Sequence, residues 1–116
     1  MSGYEELTVW QRGMELVAEC YRLSTTFPRQ EQFGLTIQLR RAAISVPANI
    51  AEGNGRWHRK EYLHHLSIAR GSLNEAETLL KVAIRLGYAT TERVSEALRL
   101  AEEISRMLTV LRRRLS

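Results

Sequence analysis

The sequence predicts an all-α protein: an antiparallel up-down-up-down four-helix bundle with a left-handed twist, in a single domain over residues 1–116. Three observations carry this expectation. Apolar residues recur in alternating steps of three and four along four separate stretches. No run of residues alternates with the period of two that a half-buried strand requires. The segments left between the stretches are short, which makes successive helices neighbours. A chain of 116 residues suits one domain and can bury a core without a metal or a disulfide.

The first helix is expected over about 8–24. Thr8 and Gln11 have the spacing of a capping box. Trp10, Met14, Val17 and Tyr21 line one face, and Leu16, Cys20 and Leu23 form a second stripe beside it, so this helix is expected to touch two neighbours. Cys20 on that stripe reads as a small buried hydrophobe. Phe27-Pro28 ends the helix, because a residue before proline is pushed out of the helical region. Residues 28–34 connect, with Gly34 at the turn.

The second helix is expected over about 36–54. Leu35, Leu39, Ala42 or Ala43, Val46 and Ile50 supply its core face. Pro47 has no N–H to give to the Ala43 carbonyl, which predicts a bend. Ala42, Ala43, Ala48 and Ala51 are small enough to let another backbone come close.

The third helix, about 59–86, holds the sustained seam Tyr62, Leu66, Ala69, Leu73, Ala76, Leu80 and Ala83. Gly71, in mid-helix, predicts a close helix contact there. Gly87 fits a left-handed cap, with Tyr88 folding back on the last turn. The fourth helix, about 91–115, starts at Thr90 or Thr91 with Glu92 in its first turn. Its face is Val94, Ala97, Ala101, Ile104, Leu108, Leu111 and Leu115, and Arg112, Arg113 and Arg114 end it where positive charge is favoured.

Charge is segregated. The chain carries a net +4, of which residues 29–60 hold +4 and residues 106–116 another +4, set against −2 in each of the remaining segments. Such basic segments solvate helix surfaces or meet anionic partners. One cysteine allows no internal disulfide, there is no signal-like start, and no apolar run is long enough to span a bilayer; a cytoplasmic protein is expected.

Catalytic patterns are sparse. Arg41, Ser45, Asn49, Glu52 and Arg56 fall on one side of the second helix and include the best acid–base set, Glu52 with Arg56 or Arg41. No nucleophile has a partnered base. Arg41, Asn49, Glu52 and Arg56 read better as a structural ion-pair network, with Arg70, Glu75 and Glu77 on a neighbouring helix as further partners. Glu61 and His64 have the spacing of half a di-iron site, but a second such pair and two further glutamates are missing. His58, His64 and His65 therefore read as surface or boundary residues, and neither a metal nor a cofactor is expected. Arg40, Arg41, Arg56, Arg59 and Lys60, with Trp57 among them, combine charge for phosphates with a ring that can stack on a base; Arg112, Arg113 and Arg114 add a second basic group.

The runs FPRQEQFGLTIQLRRAAISVPANIAEGNGR and KEYLHHLSIARGSLNEAETLL, closing on LGY, resemble a bacterial four-helix-bundle family. It is named after proteins encoded in intervening sequences of 23S ribosomal RNA genes. The resemblance covers about 27–88, and the helix around Trp10 is also similar. It implies an antiparallel bundle assembled as a homopentamer around a central opening, with no established enzymatic activity. The small residues of the second helix would then serve subunit contacts. A related accessory protein of diversity-generating retroelements is similar in shape, binds nucleic acid and assists a reverse transcriptase. The sequence departs from the family pattern at His58, where a serine usually caps the third helix with Glu61, which implies a weaker helix start. Residues and resemblance together point to a non-enzymatic oligomer that binds RNA or DNA. A protein-binding scaffold, or an accessory subunit of a reverse transcriptase, is the alternative.

Overall fold

The computed structural model describes residues 3–116, which contain no strand. Four helices, α1 (Thr8–Ser24), α2 (Leu35–Asn54), α3 (Arg59–Arg85) and α4 (Thr91–Leu115), form a bundle 43 × 24 × 24 Å across. Short 3-10 turns at Tyr4–Glu6 and Arg29–Glu31 precede α1 and α2. α1 packs on α2 and α4, and α3 packs on the same two. Among the described residues no helix is long and apolar enough to cross a membrane.

The core follows the three-four periodicity. Leu16, Cys20 and Leu23 of α1, Leu39, Val46 and Ile50 of α2, Leu66, Leu73 and Leu80 of α3 and Val94, Leu100, Ile104 and Leu108 of α4 are all buried in one apolar cluster. Burying each such aliphatic side chain contributes about 1.5–3 kcal/mol, so the seam residues dominate stability. The α3 seam is buried at every step from Leu66 to Ala83, with Tyr62 half-buried at its start.

Of the two stripes expected on α1, the structure buries the one with Leu16, Cys20 and Leu23 and leaves the other at the surface. The buried arc is Val9, Gly13, Leu16, Cys20 and Leu23, whereas Met14 is 46% and Tyr21 38% exposed and Trp10 and Val17 lie at the rim. A Cβ on Gly13 would stand 3.3 Å from the Pro47 Cβ, so α1 and α2 come close at Gly13, which places this arc inward and the stripe of Trp10, Met14 and Tyr21 outward. α2 runs through Pro47 without a break, and the ring is buried against α1.

Helix ends also differ from expectation in places. Thr8 is the first helical residue and caps nothing; Gln11 Nε2 instead donates to the Glu5 carbonyl at 3.0 Å. α1 ends at Ser24, ahead of the proline. The hydroxyls of Ser24, Thr25 and Thr26 there donate back to the carbonyls of Tyr21, Arg22 and Leu23 and compete with the helix ladder. α2 starts on the Glu31 carboxylate, whose Oε1 accepts from the Leu35 N–H at 3.0 Å and whose Oε2 accepts from the Tyr88 hydroxyl at 2.9 Å. α3 starts at His58 with no side-chain cap. α3 closes as expected: Gly87 has φ 79°, Tyr88 N–H donates to Ala83 O and Gly87 N–H to Ile84 O. Thr90 caps α4 by accepting from the Arg93 N–H at 3.2 Å.

Gly71 makes no close contact, since a Cβ there would meet nothing within 4 Å. The tight approach of α2 to α3 lies at Gly53, where a Cβ would stand 2.8 Å from the His65 Cβ and 3.0 Å from the Tyr62 ring.

Candidate nucleic-acid interface

The connection between α2 and α3 is the turn 55–58. Gly55 closes α2 by donating to the Ala51 carbonyl, and an extended His58 starts α3. Between them Trp57 is 96% exposed. An indole left in water forgoes roughly 1.5–3 kcal/mol of burial that the core offers any large apolar side chain. Arg56 is anchored in the same turn by Glu52, at 2.8 Å. Arg59 and Lys60 are exposed and, among the described residues, lie within 4 Å of no carboxylate.

The two basic segments meet at this end of the bundle. Lys60 shares a groove of about 460 Å³ with His64, Ser67 and Arg70 of α3, with Arg112 of α4 and with Ser116 just after it. Arg112 and Arg113 line an adjoining hollow, and Arg56 and Lys60 line another with Glu61, His64 and His65. Arg56, Trp57, Lys60, Arg112 and Arg113 thus belong to one basic end, and Arg59 lies between two of them in sequence.

Three of the sequence-derived candidates lie elsewhere. Arg40 donates to the Ser24 hydroxyl at 2.8 Å and covers the Tyr21 ring at 4.5 Å, so it ties α2 to α1. Arg41 is exposed on α2 and makes no side-chain contact with the other members of its series. Arg114 lines a different groove, beside Glu6, Glu103 and Arg106.

The polar series of α2 forms a chain of contacts without Arg41. The Ser72 and Ser45 hydroxyls lie 2.7 Å apart. Asn49 Nδ2 donates to Ser45, to its carbonyl at 2.9 Å and its hydroxyl at 3.0 Å, and Asn49 Oδ1 lies 3.0 Å from His65 Nδ1. With the amide nitrogen engaged on Ser45, Oδ1 is the acceptor and His65 carries its proton on Nδ1. His65 Nε2 then faces Glu52 Oε2 at 3.9 Å, beyond hydrogen-bond reach, and Glu52 is held by Arg56. Farther along, Asn54 Nδ2 donates to the Tyr62 hydroxyl at 3.2 Å. The chain resembles a relay, but among the described residues no imidazole or carboxylate is hydrogen-bonded to either serine hydroxyl. It supports α2 against α3.

His65 joins this chain although its sequence context puts it on the boundary. Its place one residue before the Leu66 seam position is the available signal. Arg70, expected as a partner for the α2 series, faces α4 instead, and Glu75 and Glu77 form no ion pair among the described residues. Cys20 is fully buried, and the loss of hydration, with Glu19 adjacent, pushes its thiol up to about 12, so it offers no thiolate. Among the described residues no three His, Cys, Asp or Glu side chains come together as metal ligands would.

The family model of the 23S rRNA-intervening sequence protein matches residues 5–110 of this chain. The crystal structure of a protein of unknown function from the S23 ribosomal protein family of Bacteroides thetaiotaomicron VPI-5482 is similar, with a TM-score of 0.82 and 27% identity. The match covers 89% of this chain and 96% of that chain. No curated protein matches the sequence.

Proposed function

The chain belongs to the 23S rRNA-intervening sequence protein family, and from that premise we propose that it is a non-enzymatic, self-associating bundle that binds RNA or DNA with the basic end carrying Trp57. The observation that carries the reading is the turn itself. A ring 96% exposed, within three residues of Arg56, Arg59 and Lys60, pairs a stacking surface with charges for the backbone of a single strand. Base stacking on one aromatic ring is worth about 1–3 kcal/mol, and each phosphate contact adds salt dependence.

Contacts at 45–72, 49–65 and 54–62 run in opposite numerical order along α2 and α3, which supports the up-down-up-down topology; the three-four seams support a left-handed twist. Self-association as a homopentamer follows the family resemblance, and the outward stripe of Met14 on α1 beside Ile44 of α2 is its natural face. The absence of an intramolecular disulfide partner for Cys20 fits a cytoplasmic setting.

A filter-binding titration with structured RNA at low salt tests the reading. Binding at micromolar protein is expected, weakened by about tenfold in Trp57→Ala, as the removal of one stacked ring implies. No binding at that concentration sinks it. A nuclease-insensitive protein partner in a pull-down from its host would instead favour a scaffold.

A further inference from the structure

We infer that the groove between the first turns of α3 and the last turns of α4 is a phosphate-binding site centred on Arg70, which seats one phosphodiester of a bound strand. Arg70 is half-buried, and its guanidinium is fixed by α4: Nη1 donates to Ser105 Oγ at 2.7 Å, and Nη2 to the Ser105 carbonyl at 2.9 Å and to Thr109 Oγ1 at 2.7 Å. All three acceptors are neutral. Of the three half-buried arginines, Arg12 has a glutamate within ion-pair distance, whereas Arg40 and Arg70 have none among the described residues. Of these two, Arg70 carries the larger set of hydrogen bonds. A guanidinium has five N–H donors, so two remain after these three bonds. Stitching α3 to α4 accounts for the three bonds. It does not account for placing a full, un-neutralised charge at the edge of the core, where charge is costly.

The groove around Arg70 supplies the rest of an anion site. Lys60, His64 and Ser67 are spaced four and three along one face of α3, and Arg112 approaches from α4; no aspartate or glutamate lines the groove. Neither Lys60 nor Arg112 has a carboxylate within ion-pair distance among the described residues. Leu63, Leu66 and Leu108 form apolar walls, which strengthen a charge interaction relative to open water. The positive end of the α3 dipole lies at this end, and the negative end of α4, about half a charge, is outweighed by Arg112 and Arg113. Arg70 would give the anion a fixed charge and a single N–H, both Nη2 protons being donated to α4, Lys60 and Arg112 mobile charges, and Ser67 a hydroxyl. Trp57, three residues before Lys60, would stack on an adjacent base. The choice of ligand rests on the nucleic-acid reading, and the anion site rests on this geometry.

Titration of a short oligo-uridine strand, followed by fluorescence anisotropy over a range of salt, tests the site. Ser67→Glu puts a carboxylate in the groove and leaves the Arg70 bonds to α4 in place; Arg70→Gln removes the charge; Gln30→Glu makes the same charge change as Ser67→Glu on a distant exposed turn. Both groove variants should bind about tenfold more weakly, as removing one charge-assisted hydrogen bond implies. Their log–log salt slope should fall by about 0.7 for each phosphate that is no longer neutralised. Gln30→Glu should match the unaltered protein. If the unaltered protein binds the strand and Ser67→Glu binds it equally with the same slope, the groove is not the site, while the nucleic-acid reading stands. If no strand binds but inorganic phosphate shifts the Arg70 Nε–Hε resonance, the anion site stands and the nucleic-acid reading falls. If neither ligand has any effect, both fall.

Discussion

At the scale of single residues, Glu31 does more than its place in a connecting turn announces. Its carboxylate joins the start of α2 to the segment after α3, accepting from the Leu35 N–H and the Tyr88 hydroxyl. The Leu35 bond first, and the Tyr88 bond second, hold it below its ordinary value of 4.5. A lowered folded value stabilises the fold fully above 4.5, and the contribution fades as pH drops through the folded value. Urea midpoints measured at neutral and acid pH should therefore fall less steeply below 4.5 in Glu31→Gln than in the unaltered protein. An identical acid dependence would remove this role. Gly53 is the other decisive position. With 2.8 Å between a built Cβ and the His65 Cβ, Gly53→Ala must push α3 away from α2 and disturb the Asn49–His65 contact. The cost of such overpacking is about 1–3 kcal/mol, read as a lowered denaturation midpoint. An unchanged midpoint would show that the pair of helices yields freely.

At the scale of elements, periodicity reveals the helices because each one buries a continuous arc, and buried arcs leave a three-four signature. The seam of α3 and the buried positions of α4 from Val94 to Leu108 follow it. The sequence shows two apolar stripes on α1 and does not say which is inner. Trp10, Met14 and Tyr21 are large and apolar, but the close approach of Gly13 to Pro47 turns the arc of Val9, Leu16, Cys20 and Leu23 inward. A stripe of large apolar residues is not by itself the inner stripe when a second apolar surface is available outside. The same blindness affects glycine. Gly71 and Gly53 look alike in sequence, and only the position of the neighbouring helix distinguishes them. For the candidate site, the charge segregation is legible, because it is a count along the chain. That Lys60 and Arg112 share a groove, and that Arg40 is spent on Tyr21, depends on packing between helices and is not. Gly71, exposed in mid-helix with no neighbour, should be replaceable with profit: Gly71→Ala is expected to stabilise the protein by about 0.5–1 kcal/mol through helix propensity and a less flexible unfolded chain. A loss of stability in thermal melting would reveal a contact at that face that the single chain does not contain.

At the scale of the whole molecule, the stripe turned out of the core bears on assembly. Tyr4, Trp10, Met14 and Val17 meet Ile44, Pro47 and Ala48 around an open apolar hollow of about 330 Å³, with Met14 46% and Ile44 43% exposed. A cyclic ring of five copies is closed by head-to-tail contacts, so this face would meet a different surface of the next copy. The groove lined by Leu7, Val9, Met107, Val110 and Leu111 is a suitable complement, since Val110 is itself 45% exposed. Assembly would also change binding. In the proposed pentamer, five basic ends on one particle would raise the affinity for a long strand without any new contact, because later ends engage at a high effective concentration. Met14→Glu combined with Ile44→Glu leaves the internal core and the basic end untouched but forces charge into the contact. From the proposed pentamer of about five times 13.3 kDa, light scattering should then fall toward a single chain, and affinity for a long RNA should drop by roughly tenfold or more while that for a short oligonucleotide holds. A particle mass unchanged by both charges would move the subunit contact to another face. A drop in short-strand affinity equal to that for the long strand would place the stripe in the binding surface itself.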